Sequence, residues 1–230
     1  MTGYHAAPIR LPWPAVAPRV VVEAAAALGR HDRVVAGLVE RYGPPAIGRP
    51  APRRDRFAAL ARSIVYQQLA GSAAASIHRR VVDALGGLVT PAAVVATPPE
   101  VLRACGLSGA KEGALRDLAE RVGSGDVPLD RLGYLDDDAV VAALRRVRGV
   151  GEWTAHMFLL FTLGRLDVWP TGDFGVRAGY AAAWGLDGPP SPRELAVEGE
   201  RFRPHRSVVA WYCWRAADEA KQARRAVVPE

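Results

Sequence analysis

Between Gly151 and Leu163 the chain reads G-E-W-T-A-H-M-F-L-L-F-T-L, apolar over most of the surface of a helix. A helix with so little polar face belongs in the interior, and this one is too short to cross a membrane, which takes about 18 apolar residues or more. It is therefore a central helix, and the rest of the chain has to cover it. The neighbouring segments suit that task. Val34, Val35, Leu38, Val39 and Tyr42 recur at helical spacing up to the stop at Gly43-Pro44-Pro45. Asp55 is a candidate cap for a helix with Phe57, Leu60, Ala61, Ile64, Val65 and Gln68 on one face, running through Tyr66-Gln67-Gln68-Leu69, and Ser72 opens another with Ile77, Val81, Val82 and Leu85 inward. Thr90-Pro91 and Thr97-Pro98 each join a cap to a proline suited to the first helical position. Ser108, Asp136 or Asp137, Ser191 and Pro204 open further helices. No stretch of useful length alternates as a strand does. The expected fold class is all-α, a globule of about ten helices.

With 230 residues, half of them hydrophobic, the chain can bury a sizeable core. Net charge is +6, which leans toward an anionic partner. Only Lys111 and Lys221 among the 30 basic residues are not arginine, a skew of the kind a GC-rich genome produces, so position says more than number. The two cysteines, Cys105 and Cys213, cannot supply the four ligands of an iron–sulfur cluster. With no apolar leader and no His/Cys/Asp cluster of zinc spacing, a reduced, cytoplasmic protein without bound metal is expected.

The turn Val147-Arg148-Gly149-Val150-Gly151 carries the first candidate function. Glycines on both sides of Val150 permit positive φ and clear the way for a phosphate. The amides of the turn and of the helix start can form an anion nest, with Arg145, Arg146 and Arg148 adding charge. Equally, the turn can be a plain helix–turn–helix with a glycine stop, and Glu152 favours that. Asp173 follows Gly151 by 22 residues, one helix and a Pro/Gly loop later. A desolvated carboxylate there can stabilise a developing positive charge and orient a water. The same aspartate stands where a helix N-cap belongs, and both roles can hold, one oxygen capping and the other facing a substrate. Asp167 is a local competitor with a more structural setting.

Arg148-Gly149-Val150-Gly151, then Trp153-Thr154-Ala155, then Pro170-Thr171-Gly172-Asp173 resemble the helix–hairpin–helix (HhH-GPD) DNA glycosylase superfamily. Its alkylation-repair branch, DNA-3-methyladenine glycosylase II, is the closest likeness. Ser63-Ile64-Val65-Tyr66-Gln67-Gln68-Leu69, Gly106-Leu107-Ser108 with Lys111, and Pro204-His205-Arg206-Ser207 ahead of Trp214 extend the resemblance over roughly residues 50–218. Arg148 departs from the proline common before the hairpin glycine, and the N-terminal segment is too short for the β-rich domain that some members carry.

The resemblance implies Asp173 as the catalytic acid and Trp214, Trp153, Tyr66 and Trp169 around the base. It implies contacts to DNA from Arg148, Gly149, Val150, Gly151 and Thr154, a Gln68–Leu69 wedge filling the hole left by a flipped nucleotide, and Lys111 on a phosphate. Trp153 stands where backbone-cleaving members carry a lysine, which implies a monofunctional enzyme. The implied partner is duplex DNA with damaged bases, acted on by a monomer without a cofactor; the superfamily also allows a monovalent cation at hairpin carbonyls. The implied function is excision of alkylated purines such as 3-methyladenine. A glycosylase for deaminated or oxidised bases and a non-catalytic DNA-binding module are the alternatives. The expected organisation is a Pro-rich extension (1–18), one lobe over 53–147, a second over 19–52 plus 152–218, the hairpin at 147–151 joining them, and a cleft between the lobes with Asp173 on its wall.

Overall fold

A computed structural model describes residues 17–69 and 71–227; all but the last two residues of the expected Pro-rich extension lie outside them. Among the described residues there are twelve α-helices and no strand. They are α1 (Arg19–His31), α2 (Arg33–Tyr42), α3 (Arg56–Tyr66), α4 (Gly71–Ala84), α5 (Pro91–Ala96), α6 (Pro99–Ala104), α7 (Gly109–Gly123), α8 (Asp137–Leu144), α9 (Glu152–Met157), α10 (Phe174–Trp184), α11 (Pro192–Gly199) and α12 (Arg206–Val227). No described helix is long and apolar enough to cross a membrane.

The chain forms two compact units. The first holds α3 to α9 (residues 51–162) around α3, which buries Phe57, Leu60, Ala61, Ile64 and Val65 and packs on α4 and α7. The start of α3 is held differently from expectation. Asp55 makes no side-chain cap and sits in a 3-10 turn over Arg53–Asp55. The anchor is instead Arg56, buried, whose Nη1 donates to Leu129 O at 2.8 Å and Asp130 O at 3.0 Å. Thr90 caps α5 as its sequence suggests, whereas Thr97 donates back to Ala93 O at 2.8 Å and α6 begins at Pro99 without a side-chain cap.

The segment expected as one helix over 151–163 is α9 followed by a π turn, Phe158–Thr162. A stretch apolar all round has no polar face from which its period can be counted, so the wider turn is invisible in the sequence. This segment packs against α3 and belongs to the first unit. The division between units therefore falls after Thr162, and not at the hairpin.

The second unit comprises α1, α2 and α10 to α12. Its tightest contact is α10 on α12. A Cβ placed on Gly179 would lie 1.7 Å from the carbonyl oxygen of Cys213, so glycine is what lets the two backbones meet. Asp32 caps α2 through Val34 N and Val35 N, and Tyr212 Oη donates to Gly43 O at 2.9 Å. The last helix begins at Arg206, two residues after the expected opening at Pro204.

Candidate active site

In the first unit the hairpin links α8 to α9. Gly149 has φ +74°, a left-handed conformation that favours glycine. Gly151 does not: at φ −92° and ψ 177° any residue fits. A Cβ on Gly151 would meet nothing within 4 Å. Gly151 is the N-cap of α9, a position that glycine suits, and neither its backbone conformation nor its packing demands a glycine there.

Fewer amides of the turn are open to an anion than expected, because two of them are already bonded. Val150 N donates to Val147 O at 3.1 Å, and Arg148 N to Asp117 Oδ2 at 2.7 Å. At the start of α9 the first ladder bond runs from Ala155 N to Gly151 O. Val150 is 5% exposed, so its side chain plugs the core. Thr154 is 2% exposed and its Oγ1 accepts from Gln67 Nε2 at 3.1 Å, so its hydroxyl is turned toward the protein. Arg148 is exposed with its guanidinium over Gly113, and Trp153 is half-buried in the first turn of α9. A cation at the hairpin would share Gly149 O with the Gln67 amide, which donates to it at 3.1 Å.

The helix α3 stops at Tyr66, short of the expected run through Leu69, and the turn after it carries the residues expected as the wedge. Gln68 is exposed at φ +57°, the one non-glycine residue with positive φ among those described. Leu69 beside it is half-buried. Lys111 is not turned out toward a phosphate as expected. Two of its three N–H donors go to Val65 O at 2.7 Å and Gln67 O at 2.6 Å. Gln67, which the sequence motifs do not single out, is thus the residue that joins the wedge turn to the hairpin. Two glutamines side by side are the signal for it, since both cannot project. Tyr66 carries the Arg62 guanidinium 4.2 Å from its ring centroid and meets His78 edge-on at 6.0 Å.

In the second unit, turns at Thr171 N to Trp169 O and Asp173 N to Pro170 O, both 2.9 Å, deliver Asp173 to the start of α10. It is the N-cap: Oδ1 accepts from Val176 N at 2.8 Å. The same oxygen accepts from Trp214 Nε1 at 3.0 Å. Asp173 is 8% exposed, a carboxylate largely withdrawn from water. Gly175 makes room for this arrangement, since a Cβ there would stand 3.0 Å from both Asp173 Oδ1 and Trp214 Cδ1. Next to Trp214 in sequence, the Cys213 thiol is pushed up by burial and by the nearby Asp173 charge, which leaves it neutral and inert.

Two residues close to the acid in sequence serve the fold instead. Trp169 is 7% exposed, packs against Phe202 and donates Nε1 to Leu195 O at 2.7 Å, so it is a core residue and not the pocket wall expected of it. Asp167 is paired with Arg206 through Nε (2.8 Å) and Nη2 (2.9 Å), and with Arg203 at 2.9 Å. Among the described residues no group of three or more His, Cys, Asp or Glu is placed to hold a metal ion.

Known proteins resemble most of this chain. DNA-3-methyladenine glycosylase 1 of Schizosaccharomyces pombe is 32% identical over 193 residues, 81% of this chain and 83% of that one. A structure of S. pombe 3-methyladenine DNA glycosylase in complex with abasic DNA superposes with a TM-score of 0.75 at 30% identity, covering 84% of this chain and 95% of the other. The DNA-3-methyladenine glycosidase of Bacillus halodurans superposes at 0.74 with 31% identity, over 91% and 94%. Residues 61–204, which span the wedge turn, the hairpin and Asp173, match one family throughout: the chain belongs to the HhH-GPD superfamily of base excision DNA repair proteins.

Proposed function

We propose that the chain is a monofunctional DNA glycosylase that flips an alkylated purine of the 3-methyladenine type out of duplex DNA and hydrolyses its N-glycosidic bond. The observation that carries this is the bond from Trp214 Nε1 to Asp173 Oδ1, which joins a desolvated carboxylate to an aromatic ring. As the glycosidic bond breaks, its electrons leave with the base and positive charge builds on the sugar. A carboxylate already fixed by two donors meets that charge without reorganising. We assign the carboxylate of Asp173 to the sugar and to the water that adds at its C1′, whose proton passes by way of the carboxylate to solvent as the abasic site forms. The alkylated base is cationic and electron-poor, and an indole face attracts it. Because the lesion has already weakened its own bond, modest catalysis suffices.

The 3-methyladenine activity of the S. pombe relative supports the lesion class, and the abasic DNA in the S. pombe complex is the product such a reaction leaves. Trp153 in place of an amine nucleophile supports water as the attacking group. The enzyme acts as a monomer on damaged duplex DNA, with Arg148 and the amides at the start of α9 on the backbone. The test is excision from a lesion panel, with the freed bases identified by mass spectrometry. Release of methylated purines is expected. Preferential release of hypoxanthine, uracil or 8-oxoguanine would move the assignment to another lesion, and tight, salt-sensitive binding with no base released would leave a binding module.

A further inference from the structure

Lys111 is an odd cation. It is the third residue of α7, where its amide donates to Ser108 Oγ at 3.3 Å. A positive side chain in the first turn faces the positive end of its own helix dipole. It is also partly buried, and burial pulls its ammonium below the ordinary lysine range. Both effects oppose a lysine here. What offsets them lies on another helix. Val65 O and Gln67 O, at 2.7 and 2.6 Å from Nζ, are at the C-terminal, negative end of α3. In a chain that uses arginine at 28 of 30 basic positions, this one is lysine. A compact ammonium can aim separate donors at two converging carbonyls, whereas a planar guanidinium presents a fixed fork.

The carbonyls it holds lie just before the strained residue of the unit. Gln68 follows Gln67 directly and sits at φ +57°. A non-glycine residue persists in that region where its surroundings over-determine it. Two restraints do so here. Lys111 grips the carbonyl of Gln67 from one side, and the Gln67 amide is tied to the hairpin at Gly149 O and Thr154 Oγ1, both 3.1 Å. Because Gly149 O can only accept, the donor end of the Gln67 amide is fixed in direction.

We propose that Lys111 is a positioning residue that locks the Gln67–Leu69 turn so that Gln68 projects as the wedge and moves as one piece with the hairpin. This rests on the glycosylase reading and on Gln68 as the residue that fills the hole beside a flipped nucleotide. A wedge matters only where there is a base stack to fill. In single-stranded DNA no hole opens, so loss of the lock should separate duplex from single-stranded substrates, while a general folding defect would lower both alike.

The experiment compares Lys111→Met, Lys111→Arg and Gln68→Gly with the wild-type chain on methylated duplex and single-stranded DNA under single-turnover conditions. Alongside it, each protein is titrated onto duplex carrying 2-aminopurine next to an abasic site, where wedge insertion raises fluorescence without any chemistry. Lys111→Met should lower the duplex rate about tenfold more than the single-strand rate, the scale of a lost charge-assisted hydrogen bond. It should also lose the fluorescence rise, as Gln68→Gly does, and add little to Gln68→Gly in the double variant. Lys111→Arg should restore only part of the duplex rate. Equal loss on both substrates, or a fluorescence rise that survives in Lys111→Met, would overturn the proposal. If the wild-type chain frees no base from either substrate, the glycosylase assignment fails, and the fluorescence titration still decides the role of Lys111.

Discussion

The loop that carries Asp173 and the turn that carries Gln68 are both junctions at a helix end, yet they are built in opposite ways. Asp173 is withdrawn from water, and Val176 N and Trp214 Nε1 both donate to its Oδ1. Gln68 is exposed, in a left-handed backbone conformation, and is held through its neighbour and not through its own side chain. The difference fits the tasks proposed for them. A group that must stabilise charge works best dry and immobile. A group that must enter a base stack has to stand clear of the protein, so its support must come from the backbone behind it. The first region should therefore be sensitive to a change of one atom in the side chain. The second should be sensitive to what holds its backbone.

Asp173→Asn is the sharpest way to break this contrast. Asparagine is as good an N-cap as aspartate, and its carbonyl oxygen can still accept from Val176 N and Trp214 Nε1. Fold and geometry should hold while the charge is gone. Base release from methylated duplex should fall about 10²–10³-fold, the range seen when one preorganised electrostatic partner is removed, with the melting temperature little changed. A near wild-type rate in single-turnover assays would take the chemistry away from this residue and leave Asp173 a helix cap.

How much of this is legible in the sequence divides along the same line as the contrast itself. Caps that act within four residues are readable: Thr90, Ser108, Asp136, Asp173 and Ser191 each accept the amide expected of them. Asp55 and the Thr97-Pro98 pair mislead because their alternatives are non-local or back-bonded: the Arg56 guanidinium reaches carbonyls 73 and 74 residues away, and Thr97 turns to Ala93. Local motifs single out Asp173 and Gln68, but not what anchors them. Trp214 lies 41 residues from Asp173, and Lys111 lies 44 from Gln67. A tryptophan is equally suited to a pocket and to a core, and only packing shows that Trp169 went to the core, against Phe202 and Gly199.

Trp214 is the next test, since it combines two functions that one substitution can separate. Trp214→Phe keeps an aromatic face but removes the N–H that reaches Asp173 Oδ1. We expect the rate at saturating substrate to fall about tenfold, as for a lost hydrogen bond to a charged group, with KM for methylated duplex changing less. Trp214→Ala should impair both. If Trp214→Phe is as fast as the wild-type chain, the indole acts only as a wall, and the acid is held well enough by its helix.

The smallest expected effect bears on the exposed region. Gly151→Ala adds a methyl group where no atom of the protein lies within 4 Å, at backbone angles that alanine adopts without strain. Reducing the freedom of the unfolded chain favours alanine, but Gly151 is the N-cap of α9, where alanine is poorer than glycine; the two effects offset, and the melting temperature should change little. The same methyl stands where a phosphate would approach the amides at the start of α9, so affinity for duplex DNA should weaken about fivefold, near 1 kcal/mol for a displaced backbone hydrogen bond. Binding is what separates the two explanations. A glycine kept only to end one helix and start another would leave binding unchanged. One kept open for a ligand gives weaker binding at nearly unchanged stability, and titrations of undamaged and abasic duplex at fixed salt distinguish the two.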